Sequence, residues 1–565
     1  MDATAFIPKE VTGLLVSQVG YDAGLLKRAL LRSTDPTLGD GLRFEARDAY
    51  NGKTYFTGDV VRWGEKWASH WWTLDFTDLT RAGTYRLHLT RGGEECMVSD
   101  PFPVGEHIVW DRTVETVAFT QLEERARQAR HGRGYKDCGS DWRECGSHTF
   151  ALIGLCDLLQ YGFPYFPLEQ QRRLADLIAV GCDFLCLLMD KAESAGYPAG
   201  AVAHEIPNHS LVLPGDVVST SMALGYASRL LFDFFPDKAG EYLRRAGLAF
   251  EYFGTMEPWA EGGFSCLNRG IEEGYVPQGF MTRDLLMALW AGLQLYSSGR
   301  VGVRPRLTAL TQEILARQVR QDEAESGLWG HFWEFDDRHH SEKANTHHHV
   351  GHDTGTVLGF HVLPLMEYCE RFWDALETLA IRQAVGDFAR HFALPACGAN
   401  PFGLLPQGVF GAEGLLDFCG PWHGTNATYG YFASMAVRLA AFTGVHGLYD
   451  AAVGNVQWVC GLNAGVTAES LAGTVVWRET VPPGVALPMS QIIGVGHRAV
   501  GGWTDIAGTV VNGFATNPQF TLQVPPTRAN DGPWLMTDED WIPHAGGFLS
   551  AVALLRSHFD HVWNL

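Results

Sequence analysis

The hydrophobic period of the chain changes near residue 105, and this change limits the folds open to it. Before that point, Leu14–Val19, Arg28–Ser33 and Thr84–Thr90 alternate or run apolar with β-forming residues. A turn-rich stretch, Asp35–Gly41, separates such segments. Several short strands at this spacing predict a small β-sandwich. From about residue 110 the apolar residues recur three and four apart, in Phe150–Gln160, Leu174–Met189, Ser219–Phe234, Arg283–Ser297, Val357–Phe372, Tyr429–Thr443 and Phe548–Leu555. That pattern predicts a large, mostly α second domain of antiparallel helices. A helical solenoid and a closed α/α barrel both satisfy it. The chain therefore divides into residues 1–105 and 106–565, with Pro101 and Pro103 as a stiff junction.

Charge narrows the function classes. The 64 acidic residues outnumber 43 basic ones, for a net charge of -21, which argues against nucleic acid or an anionic membrane as partner. No apolar run is long enough to span a bilayer. Met1–Pro8 lacks the basic-then-apolar pattern of a secretory leader. The 11 cysteines are odd in number and lack CxxC spacing, as reduced, buried thiols would be. These features predict a cytoplasmic protein, and they are compatible with a homodimer. The 18 tryptophans suit a large core or sugar-stacking surfaces.

The most distinctive stretch is Asp137-Cys138-Gly139-Ser140-Asp141-Trp142-Arg143-Glu144-Cys145-Gly146-Ser147-His148, just before the apolar run from Phe150. It resembles the loop that carries the catalytic base in glycoside hydrolase family nine, whose members are inverting, cellulase-like enzymes. Asp137, Trp142 and Gly146 fit that loop. Glu144 stands at the first Asp of its Asp-Ala-Gly-Asp. Ser147 stands at the second Asp, the family's main base, so the usual base is missing. The likeness extends through Gln18–Tyr21, Gly83–Leu87 and Pro101–Val104, which resemble the family's immunoglobulin-like domain. It continues through Val217–Arg229, Arg283–Ala291, Trp422–Asn426 and Trp458–Asn463. It implies an (α/α)6 barrel catalytic domain preceded by a small immunoglobulin-like β-sandwich.

Inverting hydrolysis needs a protonated acid at the leaving oxygen and a base that activates water on the opposite face, with the two carboxyls roughly 6.5–9.5 Å apart. Glu539, in Asp538–Phe548, resembles the family's general acid, and Asp538 and Asp540 beside it are expected to raise its pKa. The alternative for this acidic run is capping of the helix that follows. Glu144 is the direct candidate for the base, and Asp141 is the second. Asp137 is expected to hold the loop together. His148 could act too, although a single His at a helix start is more often structural.

The resemblance supplies further sugar contacts: Trp142, Asp137, Ser147, His148, Trp422, His497, Arg498 and His544, with Trp477 another stacking platform. Core packing is the competing role for each Trp. Arg338–Asp353 holds six of the 22 histidines and has no counterpart in the family. A metal there is the minor reading, and an insertion that blocks one end of the cleft is the main one. A blocked cleft predicts an exo-acting glycosidase on short oligosaccharides, with no cofactor. The competing class, which follows from Ser147, is a non-hydrolytic descendant: an intramolecular glycosyl transferase forming anhydrosugars, or a carbohydrate-binding protein.

Overall fold

In the computed structural model the described residues are 10–130, 133–139, 141–207, 211–258, 279–324, 327–338, 362–406, 408–410, 415–418, 426–467, 481–516, 522–523 and 539–563. Trp422, Trp477, Asp538 and the histidines of 339–353 lie outside them.

Ten strands open the chain: β1 (Thr12–Leu15), β2 (Tyr21–Asp22), β3 (Arg28–Ser33), β4 (Leu42–Asp48), β5 (Thr54–Asp59), β6 (Val61–Lys66), β7 (Ser69–Asp75), β8 (Gly83–Arg91), β9 (Glu94–Val98) and β10 (Phe102–Gly105). One sheet runs β1–β3–β7–β6, and the other runs β2–β10–β8–β4–β5 with β9 on β8. Leu14, Leu31 and Trp72 share one row across the first sheet and fill the sandwich with Phe44, Leu87 and Phe102. Their neighbours Leu15, Leu30 and Trp71 belong instead to the core of the helical domain. Successive side chains point to opposite faces, so a sheet buried on both faces must be apolar throughout. This is why Leu14-Leu15-Val16 and Ala29-Leu30-Leu31 lack alternation. Polar groups lock the seam: Gln18 and Val19 donate backbone N–H to the Cys460 carbonyl at 2.9 and 3.1 Å. Arg28 and Arg32 reach the carbonyls of Phe402 and Ala464 at 2.6 and 2.8 Å.

The second part contains α1 (Ile108–Val114), α2 (Gln121–Gln128), α3 (Cys145–Gly162), α4 (Leu168–Ser194), α5 (Pro214–Leu231), α6 (Pro236–Phe253), α7 (Thr282–Ser297), α8 (Arg304–Ala316), α9 (Leu363–Arg371), α10 (Thr378–Asp387), α11 (Leu394–Gly398), α12 (Asn426–Thr443), α13 (Gly447–Val459) and α14 (Ile542–Trp563). Helices α3, α5, α7, α9, α12 and α14 each pack on the next, and α14 closes on α3. Helices α4, α6, α8, α10 and α13 lie outside this ring, and α1 and α2 complete the outer layer. The result is an (α/α)6 barrel behind an immunoglobulin-like sandwich.

The two rings differ in sequence for a physical reason. Inner helices are enclosed on every side, so Val217 to Ser228 of α5 is buried without interruption. Outer helices bury one face. In α6, Ala239, Tyr242, Ala246, Ala249, Phe250 and Phe253 are buried, and Glu241 and Arg244 pair on the surface. Glycines set the inner spacing. A Cβ on Gly154 of α3 would lie 2.1 Å from the Gly546 carbonyl of α14, and one on Gly430 of α12 would lie 2.2 Å from the Gly547 backbone. Among the described residues, no helix is long and apolar enough to cross a membrane.

Candidate active site

Glu144 and Glu539 stand just ahead of adjacent inner helices. Glu144 is the residue before α3, in extended backbone with φ -93°. Glu539 lies three residues before α14. A buried arginine ties the two segments together. Arg125 of α2 donates from Nη1 to the carbonyls of Lys136 and Asp137, at 2.8 and 2.7 Å. From Nη2 it donates to the Asp540 carbonyl. The Ile542 N–H adds a bond to the Asp137 carbonyl at 3.2 Å.

Glu539 is held by a chain of polar groups. Asn512 Nδ2 donates to its Oε2 at 2.9 Å, and the Asn512 N–H donates to its backbone carbonyl at 2.7 Å. The Asn512 side-chain oxygen accepts from His544 Nε2. His544 Nδ1 in turn accepts the Ala427 N–H at 2.8 Å, which fixes the ring proton on Nε2. His544 therefore supports the site through Asn512.

Glu144 faces a different set. A short ladder pairs β11 (Arg143–Glu144) with β12 (Glu205–Ile206), placing Glu144 opposite Glu205. Burial pushes the Glu144 carboxyl up to about 7. His204 opposes that shift, and Glu539, Glu205 and Asp216 add to it. Thus Glu144 and Glu539 sense each other electrostatically. Asp137 is displaced far above the carboxylate range, first by burial and then by Glu144. Its Oδ2 accepts the Glu144 N–H at 3.2 Å and lies 2.8 Å from Ser147 Oγ, whereas its buried Oδ1 has no hydrogen-bond partner. Ser147 Oγ also lies 2.8 Å from the Glu144 carbonyl.

Several expected site residues have other partners. Asp141 turns outward to Arg130 at 2.9 Å, with its side chain 52% exposed, whereas Glu144 and Asp137 of the same loop both sense the Glu539 charge. His148 is fully buried between Tyr135 and Phe184. It accepts the Tyr135 N–H on Nε2 at 3.0 Å and donates from Nδ1 to the Glu144 carbonyl at 2.9 Å. Burial lowers its pKa to about 3. It is a neutral prop for the loop, not a sugar contact. Arg498 clasps Asp100 of the sandwich at 2.6 and 3.3 Å, and His497 lies 3.8 Å from the same carboxylate. Both are engaged at the domain seam. Asp540 accepts from the Thr504 N–H at 3.0 Å and pairs with Arg125 at 3.9 Å. Trp142 is exposed on the loop.

The sequence reading gave no role to Arg125, His204, Glu205 or Asp216, and it placed Asn512 only within a loop resembling the family's substrate-contacting one. His204 and Glu205 could have been noticed as an adjacent His–Glu pair. His204 Nδ1 lies 2.7 Å from Asp216 Oδ2. Glu144, His204 and Glu205 each offer a ligand atom, and these atoms lie within 4.8 Å of one another. Trp503 is a further aromatic group at the site. It packs on Gly139, where a Cβ would lie 2.8 Å from its own, and it precedes the Thr504 that holds Asp540.

Residues 10–94 match the family described as the cellulase N-terminal ig-like domain. The whole chain superposes on a metagenome-derived glycoside hydrolase family 9 endoglucanase with a TM-score of 0.62 at 15% identity, covering 96% of this chain and 99% of that one. The fold is that of family 9 glycoside hydrolases. A thermostable endoglucanase variant from Alicyclobacillus acidocaldarius gives a TM-score of 0.59 at 16% identity, with 96% and 99% of the two chains covered. A structure of AaCel9A in complex with cellobiose-like isofagomine gives 0.58 at 16%, covering 96% and 100%. No curated protein matches the chain. On this family 9 fold, Glu144 and Glu539 occupy the loops that lead into α3 and α14.

Proposed function

We propose that the protein is a glycoside hydrolase of the inverting type, with Glu539 as general acid and Glu144 acting on the water side. The observation that carries this reading is the electrostatic coupling of Glu144 and Glu539 on two segments that one buried arginine joins. Two loops pinned by Arg125 present them, and they lie close enough for Glu539 to raise the Glu144 pKa. Glu539 gives its proton to the leaving oxygen as the bond to the anomeric carbon breaks, and Glu144 takes a proton from the attacking water. Asn512 fixes the rotamer from which Glu539 delivers the proton. A carboxyl pushed up to about 7 is poised for acid–base work near neutral pH. The family 9 fold and the sugar mimic bound to AaCel9A support a carbohydrate substrate. We further propose exo action on short oligosaccharides, which the histidine-rich 338–353 segment favours, in the cytoplasm, which the 11 cysteines without CxxC spacing favour.

A second reading, intramolecular transfer or sugar binding without hydrolysis, is favoured by one observation. The position of the usual base is Ser147, whose hydroxyl is engaged with Asp137 and the Glu144 carbonyl. Incubation with β-linked gluco-oligosaccharides in 18O-labelled water separates the two. Hydrolysis places one solvent oxygen on each released anomeric carbon, whereas transfer places none.

A further inference from the structure

We propose that Glu144, His204 and Glu205 hold a divalent transition-metal ion, and that water bound to this ion replaces the missing base. The proposal rests on reading the site as a glycosidase. Three observations carry it. The three ligand atoms lie within 4.8 Å of one another, close enough to share one cation. Glu144 and Glu205 are directly opposite on a two-residue ladder, and Glu205 is 2% exposed. Like charges facing each other across strands are destabilising, and a shared cation would offset that repulsion. Finally, His204 Nδ1 is bonded to Asp216 Oδ2 at 2.7 Å, which fixes the imidazole and assigns metal ligation to Nε2. A carboxylate behind the imidazole is the usual support of a metal-binding histidine. Asp137 Oδ1, buried beside Glu144 without a hydrogen-bond partner, adds an acceptor for water at the same place.

One imidazole and two carboxylates suit Zn2+ or a similar ion better than Ca2+ or Mg2+, which prefer all-oxygen sites. Three protein ligands leave a position open for water, whose pKa such an ion lowers to about 7. The bound water releases one proton to solvent, and its oxygen bonds to the anomeric carbon. The bond from that carbon to the leaving oxygen breaks with its electron pair. The leaving oxygen then takes the Glu539 proton, and Glu539 is reprotonated from solvent. One water is consumed per bond cleaved, with no change of oxidation state. Glu144 then serves as a ligand rather than as the sole base.

The test is titration of chelator-treated full-length protein with Zn2+ by calorimetry, together with the metal content of protein purified without chelator. One equivalent is expected, with a raised thermal midpoint. Asp216→Asn should weaken binding about 10- to 100-fold. His204→Ala and Glu205→Gln should weaken it more, with thermal midpoints confirming that both fold, and Glu539→Gln should leave it unchanged. No saturable uptake, or equal uptake by the His204 and Glu205 variants, overturns the site. Hydrolysis at full rate in metal-free protein overturns the catalytic part and leaves the glycosidase reading intact. Uptake at this site with no cleavage of any glycoside overturns the glycosidase reading and not the metal site.

Discussion

The Asn512 carboxamide donates to Glu539 Oε2 at 2.9 Å, while its oxygen accepts from His544, so one residue sets both the rotamer and the polarity of the candidate acid. Asn512→Asp replaces a donor with a like charge. The Glu539 pKa should rise, because both the lost hydrogen bond and the new repulsion disfavour the ionised form. A general acid works while protonated, so the alkaline limb of the kcat/KM profile should move to higher pH. The value of kcat should fall about 10- to 100-fold as orientation is lost. A pH–rate profile superimposable on that of the wild type would remove Asn512 from this role.

Arg125 joins the segments that carry the two candidate carboxylates, and it is completely buried. Arg125→Lys keeps the charge but loses the fork that reaches Asp137 and Asp540 together. The expected loss is about 3 kcal/mol of stability, seen as a lower urea midpoint. Activity should fall further than the change in folded fraction explains. An unchanged midpoint would show that the loops do not depend on the clamp.

Asp157 lies inside the barrel, where it accepts from Tyr226 at 2.8 Å and from Ser550 at 2.5 Å. Burial raises its pKa from 3.8 to about 6. The folded state therefore holds this proton more tightly than the unfolded chain. The contribution of Asp157 to stability is largest below pH 4 and is lost as pH rises toward 6, at about 1.4 kcal/mol per pH unit within that window. Thermal midpoints of Asp157→Asn should show a flatter pH dependence across pH 4–6. Parallel curves for the two proteins would contradict this assignment.

Ser147→Asp restores the residue type that family 9 enzymes use as base, yet it should not rescue or raise activity. Ser147 Oγ is 2.8 Å from Asp137 Oδ2, so an acid there meets a second buried carboxyl group, and the two cannot both ionise. A loss of about 3 kcal/mol is expected, and Asp137→Asn in the same chain should recover most of it. Thermal denaturation of the two single variants and the double variant checks this, and additive effects would exclude the contact.

Local signals in the sequence carried much of the fold. Inner helices such as α5 were legible because they are apolar on every side, and the sandwich strands because β-formers cluster between turns. The outer helices α6, α8 and α10 carry one apolar face each and gave weaker signals. Glu144 and Glu539 could be found because each sits in a stretch with a recognisable order of neighbours. Arg125 could not, since it lies in a short charged helix, and only the tertiary structure carries it past Asp137 to Asp540. The same holds for His497 and Arg498. Their sequence resembles a sugar-contacting pair, but Asp100, far away in the chain, claims the arginine.

The most direct measurement of the central claim follows cleavage of a short β-gluco-oligosaccharide by NMR in 18O-labelled water, for the wild type and Glu539→Gln. The account predicts that the wild type first releases the α-anomer, carrying one solvent oxygen. Glu539→Gln should bind the sugar and release nothing. Turnover by Glu539→Gln, or wild-type product without solvent oxygen, would contradict it.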